Sequence, residues 1–135
     1  MTSSVMTLEK YAAIKDIDTM HDASGEWITE INHMKDEASF LDALLQRNTR
    51  HHFPTITSTQ LAEQLRALHY DTLPVLKKKL EEHEQGLADA IDTHTPGRQK
   101  GHSETHYQLE QQMKVCRKRY WELKKRIYAY ISRKF

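Results

Sequence analysis

Apolar residues recur along this chain at steps of three and four, the period of helices that each keep one face in a core. Trp27, Ile31, Met34, Ala38, Leu41, Leu44 and Leu45 share one arc of a helical wheel, which predicts a first helix over about 18–48. A second stripe, Leu61, Leu65, Leu68, Thr72, Leu76, Leu80, His83, Leu87 and Ile91, predicts a helix over about 57–94. Thr57 and Gln60 have the spacing of a capping box at its start, and Thr95-Pro96-Gly97 ends it. Pro74 lies inside this stripe and leaves the Tyr70 carbonyl without its donor, so a kink is expected there.

The third stripe runs His102, His106, Leu109, Met113, Cys116, Tyr120, Leu123, Ile127 and Tyr130, with Ser103 as N-cap, and predicts a helix over about 103–134. Beside it lie Trp121, Tyr128, Ile131 and Phe135, which widen the apolar arc beyond that of an ordinary surface helix. The weaker pattern of Met6, Leu8, Tyr11 and Ile14 reads as an N-terminal arm over 1–17 or a short docking helix. Short connections make sequential helices antiparallel. The expected fold over 18–135 is therefore all-α, an up-down-up antiparallel bundle of three long helices.

Composition agrees with that reading. The four glycines and three prolines among 135 residues are too few for the turns and bulges of an all-β chain. No apolar run is long enough to span a membrane, the start lacks a secretory pattern, and the single cysteine, Cys116, cannot form an internal disulfide. These features point to a cytoplasmic protein.

The net charge of +1 hides an asymmetry. Residues 16–46 hold eight acids against Lys35, and residues 113–134 hold nine bases against Glu122. Packed side by side, the first and last helices attract one another. Bases in excess of that pairing, Lys114, Lys118, Arg119, Lys125, Arg126 and Arg133, face away from the apolar arc; such a face can take nucleic acid or an acidic partner, but most are simply solvated, and no helix-turn-helix spacing or aromatic platform accompanies this one.

Trp27, Glu37 with Leu41, the pair His83-Glu84, and the stretch from Leu123-Lys124 to Phe135 resemble a group of small, uncharacterised helical proteins of Bacteroidetes-type bacteria. The resemblance spans residue 20 onward, and His33 departs from it where the group prefers an aromatic. It implies a helical bundle and brings no activity with it.

No phosphate loop, dinucleotide fingerprint, nucleophile elbow, His-Glu-x-x-His or Cys-x-x-Cys occurs. Cys116 falls on the buried stripe and reads as a core residue. Glu30, His33 and Glu37 converge at one edge of the first helix, with His69 level with them on the second, as in a ferritin-like or hemerythrin-like site for a divalent metal ion. The competing reading pairs Glu30 and Glu37 with Arg117 or Lys124, which interrupt apolar positions of the third helix. His102 and His106, with His94 and His21 at the same end, are a further metal-chelating or pH-sensitive cluster. The leading expectation is a non-enzymatic interaction or structural protein without a cofactor, which self-associates through Trp121, Tyr128, Ile131 and Phe135.

Overall fold

The computed structural model describes residues 16–93 and 99–134, so the N-terminal arm through residue 15, the Thr95-Pro96-Gly97 terminator, His94 and Phe135 lie outside it. The order is α1 (Ile17–His51), α2 (Ile56–Ala67), a π-helical turn (Leu68–Thr72), α3 (Leu73–Thr93) and α4 (Gln99–Lys134), with no strand among the described residues. The chain is an all-α bundle.

Local chemistry sets the helix starts. Asp16 caps α1 by accepting the Thr19 N–H at 2.7 Å, a bond that holds its carboxyl below the usual range. At α2 the capping box is Thr55 with Ser58, not Thr57 with Gln60. Thr55 Oγ1 accepts the Ser58 N–H at 3.0 Å while Ser58 Oγ accepts the Thr55 N–H at 2.8 Å. Thr55 wins because it is extended after Pro54 and because its hydroxyl also meets Tyr130 Oη at 2.9 Å. Ser103 is not a cap either: α4 begins at Gln99, so Ser103 lies inside the helix, buried, with its hydroxyl 4.0 Å from Met20 sulfur.

The chain divides into two compact units, Met1–Thr29 with Lys77–Met113 and Glu30–Leu76 with Lys114–Phe135. Each contains a segment of the first helix, of the α2–α3 run and of α4. In the second unit Glu30 meets Arg117 and Glu37 meets Lys124, so α1 and α4 run parallel, while Gln64 meets Arg126 and Thr55 meets Tyr130, so α2 is antiparallel. In the first unit Met20 meets Ser103 and Trp27 meets His106, so α1 and α4 run parallel, while His83 meets His106 and Gly86 lies against His102, so α3 is antiparallel.

The buried positions of α1 are Met20, Ser24, Trp27, Ile31, Met34, Ala38, Leu41, Leu45 and Asn48, alternating steps of four and three as in a coiled-coil seam. Leu44 stands half-buried at its edge. The α2–α3 run keeps the same rhythm except once. Thr72 is only half-buried and Leu73 is fully buried, a step of five from Leu68. That extra residue is accommodated by the π-turn, in which the Leu73 N–H bonds to the Leu68 carbonyl. Pro74 explains its position: a proline removes one helical bond and crowds the carbonyl four residues back, which a widened turn relieves. The expected disturbance at Pro74 is thus a one-residue phase shift, after which Leu76, Leu80, His83, Leu87 and Ala90 resume the buried stripe.

Candidate functional site

Two sites stand out, one in each unit. In the second, the acidic α1 and the basic α4 meet along rows seven residues apart. Arg117 donates to Glu30 through Nε at 2.5 Å and Nη2 at 3.0 Å, a two-bond fork. One heptad on, Lys124 Nζ lies 2.9 Å from Glu37 Oε2, and the Tyr120 hydroxyl donates a short bond to Glu37 Oε1. That bond, followed by Lys124, holds the Glu37 carboxyl below its usual range, while burial and then Glu37 push the Tyr120 phenol far up. Lys124 also sits 5.6 Å over the Trp121 ring. Indole, ammonium, carboxylate and phenol form one connected network.

Of the residues considered for a metal, Glu30 and Glu37 are engaged by Arg117, Lys124 and Tyr120, His33 is exposed, and His69 lies edge-on to Tyr70 at 4.5 Å. Among the described residues no three His, Cys, Asp or Glu side chains are grouped to hold a metal ion. Cys116 is buried, and burial raises its thiol pKa.

The aromatic strip divides. Trp121 is 57% exposed and Tyr128 38%, but Ile131 is buried and belongs to the core. The reason is its row: 117, 124 and 131 succeed one another by seven, and Arg117 and Lys124 already face α1. Phe40, 56% exposed, lies three residues past Glu37 on α1. Trp121 and Tyr128 lie three residues before and four after Lys124. The Glu37–Lys124 pair is therefore flanked by three exposed aromatic rings. Phe53, Ile56, Tyr70, Val75 and Val115 are also exposed, so every exposed large apolar side chain among the described residues is in this unit. The six bases of the outer α4 face are exposed as well, with Arg126 bonded to Gln64 at 3.0 Å.

Tyr120→Phe removes one bond from the network and leaves the ring in place. It is expected to cost about 1 kcal/mol in urea denaturation and to raise the Glu37 pKa, read by side-chain carboxyl NMR.

The first unit carries polar groups where a bundle ordinarily places leucine. His83 and His106 are both buried, with His83 Nε2 3.0 Å from His106 Nδ1. His106 stacks on Trp27, ring centres 4.6 Å apart, and His102 stands 6.4 Å from His83. Burial, with a smaller influence from His102, pushes His83 down to about 4. A groove of about 410 Å³ beside His83 and His102 is lined further by Lys79, Glu82, Gly86 and Thr105. A methyl group on Gly86 would stand 3.4 Å from His102 Cε1, at ordinary van der Waals contact, so α3 passes close to that ring.

Sequence reasoning placed His83 and His106 on their stripes separately and grouped His106 with His102. The available signal was that both occupy stripe positions on successive helices at similar distances from Pro96-Gly97 in the sequence, which sets them level in an antiparallel pair. No protein-family model, curated protein or solved structure compared with this chain matches it.

Proposed function

We propose that this chain is a non-enzymatic helical interaction protein that associates with a second copy of itself through the α1–α4 face of its second unit. The supporting observation is the cluster of Trp121, Tyr128 and Phe40 around the Glu37–Lys124 pair. Exposed apolar clusters of this kind mark interfaces, and aromatic residues supply their energetic centres. A second copy is the fitting occupant because the face carries both Glu30 and Glu37 and both Arg117 and Lys124. It has no charge preference of its own, and it can meet itself about a two-fold axis, the commonest symmetry of soluble oligomers.

The double variant Trp121→Glu, Tyr128→Glu keeps the buried stripe intact and places carboxylates on the face. Light scattering at tens of micromolar is expected to give a monomeric mass for the variant and a dimeric mass for the parent. Equal masses for the two contradict the reading.

A further inference from the structure

We infer that the buried His83–His106 pair makes the unit of residues 17–29 with 77–113 acid-sensitive, opening it on protonation while the unit of residues 30–76 with 114–134 keeps its fold. The two imidazoles share one hydrogen bond across the α3–α4 seam, 3.0 Å between ring nitrogens. One ring donates and the other accepts, which requires that at least one be neutral. A first proton on the pair preserves that bond but leaves a charge in the core. A second converts the accepting nitrogen to a donor, so two N–H groups face each other across the same gap. Protons taken up by such a pair belong to both rings.

The neighbours of His83 do little to welcome the charge. From α1 the pair meets Trp27, stacked on His106, while the α1 carboxylates Asp22 and Glu26 are exposed. From α3, Lys79 and Glu82 stand at the rim of the groove, one of each sign, and Glu84 approaches Gly25 of α1. From α4 come Glu110, half-buried one turn past His106, and His102, a third imidazole, which lowers the affinity of His83 for a proton. Both influences on His83 lower its affinity for a proton, and neither is a carboxylate. Its folded pKa therefore lies below the unfolded value, so the opened unit takes up protons first. Stability is intact above about pH 6.5 and falls as pH drops toward about 4. Among the described residues the second unit has no fully buried histidine, its His69 being half-buried, and its Glu37 stays ionised into lower pH than an ordinary glutamate.

The chain has two tryptophans, one in each unit, and their indole N–H resonances report on the units separately in the unmodified protein. In a titration from pH 7.5 downward, the Trp27 resonance is expected to lose its folded position with a midpoint below about pH 6, more steeply than a single proton allows, while the Trp121 resonance holds to about pH 4.5. His83→Gln, which keeps a hydrogen-bond donor beside His106 and does not titrate, is expected to move that midpoint down by about one pH unit or more and to reduce the slope toward one proton. A Trp27 resonance unchanged to pH 4.5, loss of both indole resonances together, or a His83→Gln titration identical to the parent each overturns the inference.

Discussion

Deleting Lys78 is expected to unfold the chain, whereas deleting Asp71, seven residues earlier, is expected to leave it folded. Both side chains are exposed, so neither deletion removes a core contact. What differs is the register downstream. Removing Lys78 rotates everything after it by about 100° relative to Leu61, Leu65, Leu68, Leu73 and Leu76. Leu80, His83 and Leu87 then leave the seam. Two leucines alone represent about 3–6 kcal/mol of burial, a large part of the 5–15 kcal/mol that holds a domain together.

Removing Asp71 shortens the step from Leu68 to Leu73 to four, the regular helical spacing, so the π-turn closes into an ordinary turn and both stripes stay in phase. Pro74 would still crowd a regular helix, so both deletions are made with Pro74→Ala. Circular dichroism and urea titration are expected to show ΔAsp71 within about 1–2 kcal/mol of its background and ΔLys78 without a cooperative transition. If both unfold alike, the π-turn is not what keeps the two stripes in register.

Leu123→Ala is expected to cost about 2–5 kcal/mol, the range for a truncated core leucine. Leu123 is buried at the middle of the α4 stripe of the second unit, between Tyr120 and Ile127. Its truncation opens a cavity that helices tied by the Arg117–Glu30 and Lys124–Glu37 pairs cannot readily close. Arg119→Ala, four residues away and exposed, is the comparison and is expected to change stability by less than about 0.5 kcal/mol. A loss below about 1 kcal/mol for Leu123→Ala would place that side chain at the edge of the core.

The helices were legible in the sequence because the stripes are nearly unbroken: every buried residue from Trp27 to Leu45 was on the predicted arc, and of that arc only Leu44 is half-buried. That Glu30 and Glu37 pair with Arg117 or Lys124 was legible too, since opposite charges interrupted otherwise apolar edges of two helices, though which carboxylate meets which base was not. Three features were hidden for different reasons. Thr57 and Gln60 fit a capping box, yet Thr55 after Pro54 has Tyr130 as a second partner, which no local pattern reveals. Leu73 beside Thr72 looked like an ordinary off-face apolar residue, because a step of five has no place in a regular helix. Ile131 sat in the aromatic strip by composition but in the Arg117–Lys124 row by spacing, and the row decided its burial.

Sedimentation equilibrium of the intact chain at concentrations from about one to a hundred micromolar tests self-association most directly. The account predicts a mass that rises to twice that of the chain and does not exceed it, as a two-fold pairing through Trp121, Tyr128 and Phe40 requires. A single-chain mass across the whole range would contradict it.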